Sequence, residues 1–204
     1  CVKNKIGRLI FASTVWTYGL SDEQEVNEAT PLNISNQEHI YTSSKVAAEA
    51  LIQSYNNLYD VEFTILRYGI PYGPRARGGT VLPIFIKLAL AGKPLTIQGD
   101  GSAHRKFIYV EDLANGNLAA LASKAKNQII NLEGPRNITV KEVAETVKDL
   151  FEGKVEIIYV EARPGDYAGK IVSNSKAKNI IGWEPKIDFK EGSKNYFDWY
   201  IENQ

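Results

Sequence analysis

A tyrosine and a lysine stand four residues apart in Tyr41-Thr42-Ser43-Ser44-Lys45, at the head of a stretch with helical periodicity. On a helix that spacing puts both side chains on one face, a turn apart. A free phenol has a pKa of about 10, too high for a base at neutral pH. A neighbouring cation favours the phenolate and lowers that value. Lys45 supplies one positive charge, and an oxidised nicotinamide would supply another. The pair then suits removal of a sugar hydroxyl proton by Tyr41 while hydride leaves the adjacent carbon. Thr14 follows the apolar run Arg8-Leu9-Ile10-Phe11-Ala12 and can hydrogen-bond the same oxygen, holding it in place. A third feature is the Gly- and Pro-rich stretch Arg67-Tyr68-Gly69-Ile70-Pro71-Tyr72-Gly73-Pro74-Arg75. In open α/β sheets, ligands bind outside the carboxyl ends of the strands, where both loops are expected.

The elements that must position these residues follow from periodicity and turn chemistry. Arg8–Ala12 reads as a buried strand, and residues 20–39 as loop. Ser43–Tyr59 reads as a helix, with Val46, Ala47, Ala50, Leu51, Tyr55 and Leu58 recurring near the 3.6 period. Residues 62–67 read as the next strand and 68–79 as loop. Helices are expected over Val81–Ala91 and from about Glu111 to Ala122. Gln128–Leu132 and Val155–Val160 read as strands. Thr139 with Glu142 three residues on forms a capping box that opens a helix. Ser175–Ile181 and Glu191–Glu202 read as the last helices. Strands alternating with helices imply a mostly parallel α/β sheet, followed by a smaller mixed lobe.

Composition narrows the class. The 204 residues carry 24 Lys+Arg against 24 Asp+Glu, with 44% hydrophobic residues. That balance fits a globular protein and excludes a disordered tail or a strongly basic nucleic-acid binder. No run of about 18 apolar residues exists, so no membrane span is expected. One cysteine, Cys1, excludes an intrachain disulfide framework and fits a reducing, cytoplasmic setting. His39 and His104 lack metal-ligand spacing, so no metal site is expected. Trp183-Glu184-Pro185 reads as packing, and Asp112 as a helix-start residue. The chain contains no Met and opens Cys1-Val2-Lys3-Asn4, which suggests a piece of a longer protein.

Taken in order, the motifs span nearly the whole chain. They are Ser13-Thr14, Tyr18-Gly19, Tyr41 with Lys45, Arg67-Tyr68 with Tyr72-Gly73-Pro74-Arg75, and Gly99-Asp100-Gly101. Arg105 with Phe107-Ile108-Tyr109-Val110-Glu111-Asp112, Arg163-Pro164-Gly165-Asp166 and Gly182-Trp183-Glu184-Pro185 follow. The sequence resembles the extended short-chain dehydrogenase/reductase group, in the branch of NAD-dependent nucleotide-sugar epimerases and dehydratases. The resemblance implies the later part of a Rossmann-like parallel sheet plus a substrate lobe. Residues 1–75 would be the remaining part of the NAD-binding domain and 76–204 mainly the substrate lobe, with segments returning to the sheet. It implies Thr14 as the catalytic hydroxyl, Tyr41 as the base and acid, and Lys45 as the cofactor-ribose and electrostatic residue. Ser13, Tyr68, Gly69 and Pro71 fall at further cofactor positions. Arg105 and Arg163 would hold the diphosphate of a UDP-sugar, for which a guanidinium fork is suited. Gln98 and Phe107 would line the nucleotide pocket, Asp166 would reach its ribose, and Thr80 and Val81 would touch substrate. A homodimer built partly on Ser43–Tyr59 is also implied.

Departures from the family pattern select among reactions. Its dehydratases carry Asp-Glu directly after the catalytic Thr, and its decarboxylating members usually have Glu there. This chain has Val15 and Trp16, which cannot trade protons. A 4-epimerase needs only reversible oxidation at C4, rotation of the keto sugar and hydride return. Ile70 stands where Asn is common, and Lys106 where Asp is common, so the substrate stays open. The Gly-rich dinucleotide fingerprint is not found, so about a hundred residues of the family's cofactor half lie outside the match. The segment by itself is therefore expected neither to bind NAD tightly nor to catalyse. A related reductase or dehydratase, or a non-catalytic sugar-nucleotide-binding remnant, are the alternatives.

Overall fold

The computed structural model describes residues 1–36, 39–162 and 169–203. In chain order the elements are β1 (Arg8–Thr14), β2 (Glu25–Val26), α1 (Ile40–Tyr59), β3 (Glu62–Tyr68), β4 (Ile70–Tyr72), α2 (Val81–Leu90), β5 (Leu95–Gln98) and β6 (His104–Tyr109). They continue as α3 (Val110–Ala119), β7 (Gln128–Leu132), β8 (Asn137–Thr139), α4 (Val140–Leu150), β9 (Ile157–Val160), β10 (Ile171–Val172), α5 (Ser175–Ile181) and α6 (Phe189–Glu202). A short 3-10 helix, Val15–Leu20, directly follows β1. The chain divides into two discontinuous units. Unit 1 is residues 1–69, 111–133 and 170–185; unit 2 is residues 70–110, 134–169 and 186–204. The first crossing falls between Gly69 and Ile70, so residues 70–75 belong to unit 2.

Unit 1 is built on a parallel sheet in the order β1-β3-β7. β3 is central, and its middle five residues are all buried, the near-continuous burial expected of a parallel strand covered on both faces. Among the described residues β1 pairs only with β3, which leaves its other edge open. A second pairing, β10 with β2, joins residues 171–172 to residues 25–26 in parallel. Helix α1 starts at Ile40 rather than Ser43, so Tyr41 sits in its first turn.

The apolar stripe read along α1 does not face the sheet. Leu51, Tyr55, Leu58 and Tyr59 are exposed, and the buried positions are Thr42 and Glu49. Both fully buried positions of this helix are polar, and Glu49 belongs to the network described below. On α3, Gly116 has Leu132 and Trp183 against it, closer than a Cβ would allow. Trp183 donates its indole N–H to the Asp112 carbonyl at 3.0 Å, so it packs and ties rather than reacts.

Unit 2 joins β4 to β6 in parallel and β6 to β8 antiparallel, with β5 and β9 as a separate parallel pair. Its core holds Tyr72, Phe85, Phe107, Tyr109, Phe189 and Tyr196 among aliphatic residues of α2, α4 and β5. The sequence pattern marks no strand at β5, β6 or β8: all three are short and each carries a charged or amide residue, so no period shows.

Thr139 caps α4 as expected, its hydroxyl oxygen accepting from the Glu142 N–H at 3.0 Å. The reciprocal half of the box is replaced, because the Glu142 carboxylate binds Arg136 at 2.6 Å. Thr139→Ala is expected to cost about 1 kcal/mol. In a chain of this size that lowers the melting temperature by roughly 2–4 °C, read by thermal unfolding.

Candidate active site

Everything that positions the catalytic candidates lies in unit 1, at the carboxyl end of β1. Thr14 is the last residue of that strand and the N-cap of the 3-10 helix. Its hydroxyl oxygen accepts from the Trp16 N–H at 3.2 Å, while the Thr17 hydroxyl donates to its carbonyl at 3.0 Å. The residue is buried, but among the described residues its hydroxyl proton has no acceptor and is free for a ligand oxygen.

Lys45 reaches from α1 to the strand. Its Nζ donates to the Ala12 carbonyl at 2.7 Å and lies 4.8 Å from the Phe11 ring centre and 5.8 Å from that of Tyr41. Both rings are within cation–π range of the ammonium. The Tyr41 ring is 54% exposed, and its phenol has no partner among the described residues. The structure therefore brings Tyr41, Lys45 and the end of β1 together, with the phenol and two of the three ammonium N–H groups uncommitted. That is what the nicotinamide-ribose end of a dinucleotide requires: donors for ribose hydroxyls beside a proton-transfer group.

Beneath this surface lies a buried polar network that sequence reasoning missed. The Ser13 hydroxyl donates to the Glu49 carboxylate. Arg67 grips the same carboxylate with two bonds, Nε to Oε1 at 3.1 Å and Nη2 to Oε2 at 2.7 Å. Burial disfavours the guanidinium charge, yet the bond to Glu49 and the nearby Tyr18 and Glu49 oxygens outweigh it and hold the Arg67 pKa above its usual value. The guanidinium carbon sits 4.9 Å from the Tyr18 ring centre. The Tyr18 phenol, whose pKa burial raises, donates to Asn131 Oδ1 at 2.8 Å. Asn131 in turn donates from its backbone N–H to Glu28 at 2.8 Å and from Nδ2 to the Ser173 carbonyl at 3.1 Å. The signal for this network was present: Arg67 is a charge inside an apolar strand run, and Glu49 continues the Tyr41–Lys45 line by another turn.

The remaining candidates divide. The Tyr68 phenol donates to Asn117 Oδ1 at 2.5 Å and burial raises its pKa, so the side chain is engaged within the unit. A Cβ at Gly69 would meet the Glu133 carboxylate, so any larger residue there would require that side chain to shift. Pro71, Thr80, Val81, Gln98, Arg105 and Phe107 all belong to unit 2. Pro71 is exposed, and Thr80 is the N-cap of α2, its hydroxyl donating to the Arg77 carbonyl at 3.2 Å. Val81 packs on the unit 2 core, and Gln98 ends β5. Arg105 is half-buried, with Nη1 donating to the His104 carbonyl at 2.6 Å. Phe107 is a core residue, its ring packed 5.1 Å from Phe189 and edge-on to Tyr72, which leaves little of it to line a pocket. Arg163 and Asp166 lie outside the described residues. No group of three metal-ligating side chains occurs among the described residues, and none of their helices is long and apolar enough to cross a membrane.

The parallel α/β sheet, with a tyrosine and a lysine of one helix turned to the end of β1, fits the short-chain dehydrogenase/reductase resemblance carried by the motifs. Residues 1–132 match the NAD dependent epimerase/dehydratase family, and the chain belongs to it. It is 33% identical over 202 residues to UDP-glucuronate 4-epimerase of Thermodesulfobacterium geofontis, covering 97% of this chain and 60% of that one. It is 36% identical over 189 residues to UDP-glucuronic acid decarboxylase 6 of Arabidopsis thaliana, covering 91% and 55%. The crystal structure of UDP-glucuronic acid 4-epimerase from Bacillus cereus, with UDP-glucuronic acid and NAD, superposes with a TM-score of 0.89 at 26% identity. That match covers all of this chain and 64% of the other. The chain thus spans about six tenths of the length of these relatives. The Rossmann-type parallel fold and the NAD-dependent family are those expected from the motifs.

Proposed function

We propose that the chain is the catalytic and substrate-binding part of an NAD-dependent 4-epimerase of UDP-sugars. The observation that carries this reading is the Thr14, Tyr41 and Lys45 arrangement followed by Val15 and Trp16, positions without a carboxylate. With one proton-transfer group beside the end of β1 and no second acid next to Thr14, chemistry stops at reversible oxidation of one carbon.

NAD, when bound, would supply reversible hydride transfer at the sugar carbon. The residues of this chain handle the rest. Tyr41 accepts the C4 hydroxyl proton as the C4–H bond breaks, and Thr14 donates a hydrogen bond to the same oxygen. Lys45 holds the phenolate electrostatically and offers its free N–H groups to ribose hydroxyls. Once the keto sugar has turned and been reduced, Tyr41 gives the proton back to the same oxygen. Atoms and electrons balance with no net redox change. Ser13, Tyr68, Gly69 and Pro71 are assigned to the cofactor side. Thr80, Val81, Gln98, Arg105 and Arg163 are assigned to the UDP-sugar, with Asp166 at its ribose. The residues present suit the nicotinamide-ribose end; no Gly-rich pyrophosphate loop occurs among the 204. The exposed Leu51, Tyr55, Leu58 and Tyr59 of α1 support a homodimer packed on that helix.

The test is product analysis. The protein, expressed with whatever coding sequence lies upstream of Cys1, is incubated with UDP-glucose and separately with UDP-glucuronate. The expected product has unchanged mass, inverted C4 and no net change in nicotinamide absorbance. A product lighter by water or by carbon dioxide would replace this reading with a dehydratase or a decarboxylase.

A further inference from the structure

The proposed chemistry makes no use of Glu49, although its setting is the most demanding on α1. It lies one turn beyond Lys45 and two beyond Tyr41, so the three form one line down the helix. It is a carboxylate at 4% exposure, and both oxygens are taken. β1 contributes the neutral Ser13 hydroxyl; β3 contributes the Arg67 fork, backed by Tyr18 from the 3-10 helix. One turn earlier Lys45 is bonded to the Ala12 carbonyl. Helix α1 is therefore tied to β1 at two consecutive residues, Ala12 and Ser13, and to β3 on the next strand. The residue after Ser13 is Thr14.

Two physical points give this clamp a purpose. A buried ion pair is often no more stabilising than apolar residues of the same volume, so stability alone does not account for it. What it does provide is geometry, since a bidentate guanidinium–carboxylate pair has fixed planes and distances. Moreover, a lysine and a glutamate four apart on an open helix attract each other. Here Arg67 and Ser13 occupy the carboxylate, and Lys45 turns to the strand and to Tyr41 instead.

We propose that Glu49 is a positioning residue for the reaction. Clamped by Arg67 and Ser13, it fixes the rotation and height of α1 against β1, and so sets where the Tyr41 phenol stands relative to the Thr14 hydroxyl. The activity half of this proposal rests on the epimerase reading; the geometric half does not.

The test uses the whole protein as encoded. Glu49→Leu with Arg67→Met removes the clamp while keeping volume and leaving no unpaired charge. The expected result is cooperative unfolding, KM for the UDP-sugar unchanged, and kcat lower by about ten- to a hundredfold, the scale of a misplacement near 1 Å. Lys45, loosened from Ala12, is expected to acylate several-fold faster, followed residue by residue by mass spectrometry. Wild-type kcat and wild-type Lys45 labelling in the folded double variant would overturn the proposal. If that variant does not fold, Glu49→Asp carries the same readouts. It keeps the charge and the Arg67 pair but shortens the reach by one methylene. A lowered kcat at constant KM supports the clamp, and an unchanged kcat overturns it. If the wild type converts no UDP-sugar, or Tyr41→Phe turns over normally, the epimerase reading falls instead. Lys45 labelling then decides the clamp alone, and an unchanged rate in the variants overturns it.

Discussion

Tyr41→Phe is expected to lower kcat by about 10²–10⁴-fold, the share of a barrier that one positioned acid–base group carries. The change removes a single oxygen from a ring that is 54% exposed and whose phenol bonds to nothing among the described residues. Little folding energy is at stake, and the melting temperature should hold, since exposed substitutions of this kind cost within about 0.5 kcal/mol. The ring remains, so the ammonium of Lys45 keeps its aromatic neighbour at 5.8 Å and its bond to Ala12 at 2.7 Å. Affinity for the UDP-sugar should therefore survive, because binding is assigned mainly to unit 2 residues such as Arg105. Steady-state turnover and calorimetric titration with the UDP-sugar separate the two quantities. A loss in kcat with Kd preserved places Tyr41 at the proton transfer. Turnover within tenfold of wild type would mean that another group moves the proton, and the Thr14 hydroxyl would be the next to test.

How much of this was legible beforehand depends on the kind of information each feature carries. β7 and α5 have the bounds read from the sequence, Gln128–Leu132 and Ser175–Ile181. Each is a clean local signal, an apolar run in one case and a helix stopped by Gly182 at φ 65° in the other. The two-residue pairing of β2 with β10 carries no period at all and exists only because distant backbones meet. In β6, His104, Arg105 and Lys106 disguise a strand whose antiparallel partner, β8, starts more than two dozen residues later. α1 was legible as a helix, but periodicity cannot say which of two faces is buried. Its exposed apolar stripe and its polar inner line invert the usual rule. The proposed catalytic trio was visible because the chemistry proposed for it demands particular residue types at a particular spacing. The clamp beneath it left only a partial trace, a charge in an apolar strand run and a carboxylate on the Tyr41–Lys45 line, because Glu49 and Arg67 meet only once α1 is laid on β3.

That clamp also makes Arg67→Ala severely destabilising, with an expected loss of about 3–5 kcal/mol. The substitution leaves the Glu49 carboxylate at 4% exposure with the Ser13 hydroxyl as its remaining partner. It also strips the guanidinium from the Tyr18 ring, 4.9 Å away, and opens a void in the central strand of the sheet. The cost is mainly that of an uncompensated buried charge, so it should largely vanish when Glu49 is neutralised in the same chain by an apolar residue of similar volume. A surface pair gives the contrast. Lys126 and Glu62 approach to 2.8 Å, but with side chains 47% and 35% exposed, and Lys126→Ala should change stability by less than about 1 kcal/mol. Urea unfolding of the four proteins at a common slope measures all of this. If Arg67→Ala cost no more than Lys126→Ala, water would have to reach Glu49, and the rigid seat beneath Tyr41 and Lys45 would not exist.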